Sequence, residues 1–180
     1  MVQHTAEFSR KIMAVRAVRH GMDMTVEASA EECAALAARF DLEGIRSFSC
    51  RFILRPGVRH EIEAECSLSA RVVQRCVVTL EPFGDVIVER FSLRLVPEDA
   101  VRPEDFEDPD AESDVIPFSG DSIDLGEIAS EQLGLILDPY PRSPGAALPE
   151  GVSGDETDET DQQDRAPHPF ASLARLKGKE

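Results

Sequence analysis

Every second residue from Ile62 to Val72 is apolar: Ile62, Ala64, Cys66, Leu68, Ala70 and Val72 alternate with Glu63, Glu65, Ser67, Ser69 and Arg71. A period of two over so long a run predicts a strand with one buried and one wet face, and hence an antiparallel sheet. Upstream, Phe48, Cys50, Phe52 and Leu54 alternate with Ser and Arg, and Arg55-Pro56-Gly57 supplies a turn into the next strand. Downstream, Val77, Val78 and Leu80 extend the β character, and Glu81-Pro82-Phe83-Gly84-Asp85 reads as the break. A final strand follows over 86–96, with Phe91, Leu93 and Leu95 inward. A strand unbroken from 60 to 80 exceeds usual lengths, so a bend or bulge is expected near Gln74–Cys76.

Two segments carry a helical period instead. Ser29-Ala30-Glu31-Glu32 has the hydroxyl and carboxylate spacing of a capping box, and Cys33, Leu36, Ala37 and Phe40 follow on one face, predicting a helix over 30–40. Asp121-Ser122-Ile123-Asp124 opens a second helix whose apolar face is Leu125, Ile128, Ala129, Leu133 and Ile136, with Pro139 and Pro141 beyond its end. The fold class expected is α+β: a curved antiparallel sheet, open or barrel-like, with a helix packed on it from each side of the chain.

Charge refines the domain map. Residues 1–96 hold 13 acidic and 13 basic side chains, residues 97–114 hold 9 acidic and one basic, and residues 150–164 hold 7 acidic and none basic. Nearly all of the net charge of −16 thus lies outside a near-neutral fold. The expected organisation is an α+β domain over 1–142 with an acidic flexible loop at 97–120. A disordered acidic linker follows at 143–166, then a short amphipathic tail at 167–180. No apolar run is long enough to span a bilayer, and the start of the chain lacks the apolar stretch of a secretory signal. The cysteines, Cys33, Cys50, Cys66 and Cys76, are expected as reduced thiols in a cytoplasmic protein.

Candidate chemistry is sparse. The four histidines, His4, His20, His60 and His168, form no helical-spacing pair with Cys, Asp or Glu, so neither metal nor cofactor is expected. No nucleophile elbow, phosphate loop or metalloprotease helix is present, and no catalytic residue is nominated. Cys76 follows Arg75, a cation able to activate a thiol, but its phase matches Val78 and Leu80 and reads as a core cysteine. Arg51, Arg55, Arg59, Arg71 and Arg75 share the wet phase and could gather into a phosphate-binding patch. Glu61, Glu63 and Glu65 share that phase too, so pattern alone favours an ordinary mixed-charge face.

Three segments together resemble the YceD-like family of large ribosomal RNA subunit accumulation proteins, in its alphaproteobacterial form. They are Ala70-Arg71-Val72-Val73-Gln74-Arg75-Cys76-Val77-Val78-Thr79-Leu80-Glu81-Pro82, then Ile123-Asp124-Leu125 with Leu137-Asp138-Pro139-Tyr140-Pro141-Arg142, and the tail Pro169-Phe170-Ala171-Ser172-Leu173-Ala174-Arg175-Leu176-Lys177. Two departures stand out: Val73-Gln74-Arg75-Cys76 replaces the C-x-R-C of many relatives, and the cysteine cluster some carry after the second helix is missing. The resemblance implies a non-enzymatic factor for accumulation of 23S ribosomal RNA. Its implied partner is a large-subunit precursor, through ribosomal RNA or a basic ribosomal protein, with neither membrane nor small-molecule substrate. Arg71, Arg75, Phe170, Leu173 and Lys177 are the candidate contacts. The alternative is an acidic interaction module, or a chaperone for a basic protein.

Overall fold

The computed structural model describes residues 6–102 and 113–147. Ten elements follow one another: β1 (Lys11–Met13), α1 (Ala14–His20), β2 (Met22–Glu27), α2 (Ala30–Arg39), β3 (Gly44–Pro56), β4 (Ile62–Arg75), β5 (Pro82–Pro97), β6 (Asp114–Phe118), β7 (Ser122–Asp124) and α3 (Leu125–Ile136). The alternating run is β4, the middle strand of a five-stranded sheet ordered β2-β3-β4-β5-β6. Its burial alternates almost without fault, because one face meets the core and the other water. The pairs β2–β3, β3–β4 and β4–β5 are antiparallel as expected, whereas β5–β6 is parallel. The sheet is open; it does not close into a barrel.

α2 starts where the sequence places it. Ser29 accepts from the Glu32 amide and the Glu32 carboxylate accepts from the Ser29 amide, satisfying two orphan N–H groups at once. Cys33, Leu36 and Ala37 turn into the core. α3 is capped by Asp124, whose carboxylate accepts from the Gly126 and Glu127 amides, and buries Leu125, Ile128, Ala129 and Leu133. α1 is a third, shorter helix that the hydrophobic pattern does not announce.

The N-terminal segment is stapled across both helix starts. β1 pairs with β7 as a separate two-stranded ribbon. Phe8 is wholly buried and packs edge-on against Phe48, ring centroids 5.6 Å apart. Asp124 accepts from the Ser9 hydroxyl and, at 2.7 Å, from the Arg10 amide. Burial pushes its pKa up, but hydrogen bonds from Ser9 and the Arg10, Glu127 and Gly126 amides outweigh burial and hold it below 3.8. Arg10 forks onto Glu32 at 2.7 and 2.8 Å and onto the Glu27 carbonyl at 2.9 Å. The Arg10 hydrogen bond is the main cause that holds Glu32 at about 2. Gly126 has to be glycine, since a Cβ there would lie 2.6 Å from the Phe8 carbonyl oxygen and 2.9 Å from the Arg10 amide.

Three expectations need correcting. The chain does not bend near Gln74–Cys76 and continue as a strand; β4 ends at Arg75 and the chain reverses over Cys76–Leu80. The Leu80 amide donates to the Cys76 carbonyl and the Cys76 amide to the Glu81 carbonyl, both at 2.9 Å. Glu81–Asp85 is therefore not the break, for β5 begins at Pro82. Proline is tolerated as the first residue of a strand, where its missing donor costs little. Finally, within the stretch read as a flexible loop, Glu98–Ala100 forms a 3-10 turn and Asp114–Phe118 the strand β6. Residues 103–112 and 148–180, the tail included, lie outside the described residues.

Candidate partner-binding face

The wet face of the sheet is built from the residues that alternate with the core. On β4 these are Glu63, Glu65, Ser67, Ser69 and Arg71. Register sets their neighbours: Arg71 lies between Ser47 of β3 and Val86 of β5, and Ser67 between Arg51 and Arg90. Ser69 lies between Ser49 and Val88. The middle of the face is thus short hydroxyl side chains, two exposed valines and three arginines. Val86 and Val88 are 62% and 68% exposed, far above what a strand facing a core allows.

Charge pairing sorts the arginines. Arg51 makes a forked contact with Asp23 at 2.9 and 2.7 Å, and Arg55 pairs with Glu65. Arg75 donates to the Leu80 carbonyl at 2.8 Å and pairs with Glu43, so it braces the reversal after β4. Arg59 sits on the 3-10 turn between β3 and β4, off the ladder. Arg71 and Arg90 have no ion-pair partner among the described residues, and neither does Arg46, the extra residue of a bulge between Ile45 and Ser47. Exposed guanidinium groups free of carboxylates are available to phosphates or to a partner's acids.

Of the residues nominated from sequence, Arg71 therefore stands free on the wet face and Arg75 is already engaged. Phe170, Leu173 and Lys177 lie outside the described residues. Arg90 was missed. Its position follows from the β4–β5 register, Ser67 opposite Arg90, which depends on where the reversal falls.

The end of β4 forms a second feature. Gln74 is buried and reaches the Asp138 carbonyl at 3.5 Å, and the Val77 amide donates to the Pro141 carbonyl at 2.9 Å. Two segments far apart in sequence, Gln74–Val77 and Asp138–Pro141, so meet beside a cleft of about 390 Å³ lined by Phe40, Leu42, Arg75 and Leu137. Cys76 is wholly buried there. Hydrogen bonds from Ser143, then Thr79, outweigh burial and hold its thiol at about 6. Solvent does not reach the sulfur, and the low pKa reflects donors that fix the turn. Cys33, Cys50 and Cys66 are likewise free and buried.

Among the described residues no group of three or more His, Cys, Asp or Glu could hold a metal ion, and no helix is long and apolar enough to cross a membrane. A family model, described as large ribosomal RNA subunit accumulation protein YceD, matches residues 64–177. The match takes in β4 from Ala64 onward, β5, β6, β7 and α3, and with them the reversal at Cys76 and the free Arg71 and Arg90. No curated protein and no solved structure matches the chain.

Proposed function

The chain belongs to the YceD family of large ribosomal RNA subunit accumulation proteins, and from that premise we propose that it is a cytoplasmic, non-catalytic ribosome-biogenesis factor. It supports accumulation of 23S ribosomal RNA by holding a large-subunit precursor on the wet face of its sheet. The observation behind this reading is the pair Arg71 and Arg90. They are exposed cations without carboxylate partners, set among serines on a face where Arg51, Arg55, Arg75 and Arg94 are matched by acids and only the bulged Arg46 is likewise unpaired among the described residues. Their Cα atoms are about 14 Å apart from strand spacing and rise, a separation that suits two phosphates of one RNA strand or helix. The acidic stretches at 97–114 and 150–164 repel bare RNA and limit indiscriminate binding.

The test is gradient sedimentation of lysate containing the tagged full-length chain, with cross-linked RNA read from each fraction. Wild type is expected with large-subunit precursors. Arg71→Glu with Arg90→Glu is expected to lower that association about tenfold and to flatten its salt dependence. Arg75 is the wrong residue for this test, because its loss would disturb the reversal it braces. Unchanged association in the double variant would remove this face from the interface. A signal confined to free ribosomal proteins would favour a chaperone for a basic protein, which the acidic charge map also fits.

A further inference from the structure

β6 pairs with β5 only along Leu93–Pro97. The outer part of β5, from Pro82 to Ser92, has β4 on one side and no strand on the other among the described residues. The Val86 amide donates to the carboxylate of its neighbour Asp85 at 2.8 Å, so it faces away from β4. Alternation along an antiparallel ladder turns the backbone groups of Gly84, Val88 and Arg90 the same way. The result is a row of donors and acceptors with no strand partner among the described residues, the Val86 amide being met only by its neighbour's side chain. The centre of this edge is Val86-Ile87-Val88, three β-branched residues in succession. Protein edges are normally blunted by brevity, proline or a covering element. This one is long, carries its proline only at the start, and leaves Val86 and Val88 mostly exposed.

We propose that the outer half of β5 is a strand-addition site that takes an extended, lysine- or arginine-bearing segment of a basic protein. Backbone pairing supplies the affinity and the alternate side chains supply the selection. On one face an added strand meets Val86 and Val88, which call for small or β-branched residues. On the other it meets Asp85, Ile87 and Glu89 in turn. Asp85 and Glu89 are exposed and have no ion-pair partner among the described residues. The matching segment therefore carries cations four residues apart with an apolar residue midway between them. A second copy of this chain would bring the same two carboxylates to the edge, on a molecule of net charge −16. RNA has no row of peptide groups to continue the ladder. The identification of the basic segment with a ribosomal protein rests on the function proposed above; the strand-addition chemistry does not.

The probe is a nine-residue peptide with lysines four apart and valine or isoleucine at the other inward positions, titrated against the full-length chain. A copy N-methylated at alternate backbone amides keeps every side chain and loses the ladder. The parent peptide is expected to bind, and the methylated copy at least about tenfold more weakly as several hydrogen bonds are removed. Val88→Pro should abolish binding while keeping the melting temperature, since the amide it deletes faces away from β4. Glu89→Lys, which leaves the backbone untouched, should weaken the lysine peptide and improve a glutamate counterpart. Equal binding of parent and methylated peptides would reduce the effect to attraction for an acidic chain and overturn the proposal, as would no binding of the parent. Arg71→Glu with Arg90→Glu keeps the edge backbone and adds negative charge beside it, so it should bind the lysine peptide at least as tightly as wild type. Loss of precursor association in that variant and loss of peptide binding are therefore separate results.

Discussion

The N-terminal staple and the outer half of β5 treat their polar groups in opposite ways. Around Asp124, Arg10 and Glu32, carboxylates and guanidinium are each held by two or more partners, and the apolar Phe8 beneath them is wholly buried. Along Asp85–Arg90 the carboxylates and guanidinium have no ion pair among the described residues, and two valines face water. Burial without partners is expensive, so the first region has to be complete within the chain to be stable at all. An exposed strand edge tolerates open valences because water fills them, and those valences remain available to another molecule. Internally completed polar contacts and open ones are thus concentrated in different parts of one sheet domain.

Substitutions separate the two regions most sharply at Gly126. Gly126→Ala drives a methyl group into the Phe8 carbonyl and the Arg10 amide, and should cost about 3 kcal/mol of unfolding free energy by denaturant titration. Asp124→Ala removes the α3 cap and the anchor of the N-terminal segment together; a loss of about 2 kcal/mol is expected in the same assay. Stability measured against pH gives a smaller signal. Glu32 is held at about 2, below its ordinary 4.5, so its contribution is complete above that ordinary value and fades as pH falls toward about 2. Glu32→Gln should flatten this part of the acid limb, although partial exposure of the pair limits the size of the effect. Arg71→Glu with Arg90→Glu should change stability least, within about 0.5 kcal/mol, despite its expected effect on precursor association. If that variant melted early, the contrast between a finished region and an open one would fail.

The parts of this fold legible in the sequence are those set by short-range rules. The period of β4, the Ser29–Glu32 box and the Asp124 start of α3 each follow from residues within a few positions of one another. The reversal after β4 was misplaced for an identifiable reason. Pro82 and Gly84 carry the usual turn signals, while the true turn places Leu80 at a φ of +60° without glycine or asparagine. The Cys76 thiol, which accepts from the Thr79 amide, and Arg75, which donates to the Leu80 carbonyl, hold that turn instead. β1, β6 and β7 are three to five residues long, too short for any period to register, and exist because partners distant in sequence complete their ladders.

The candidate site divides in the same way. Arg71 was legible because it belongs to the β4 alternation, whereas the freedom of Arg71 and the capture of Arg51, Arg55 and Arg75 depend on Asp23, Glu65 and Glu43 arriving from other strands and loops. By itself the sequence determined the class of fold, the wet and dry faces of the central strand and the two principal helix starts, since periodicity and capping are local. Only the tertiary structure decided where β4 turns back, which arginines stay unpaired and which length of β5 is left without a neighbour. Register and pairing depend on chain segments far apart in sequence, and a one-residue shift in either exchanges the side chains on every face.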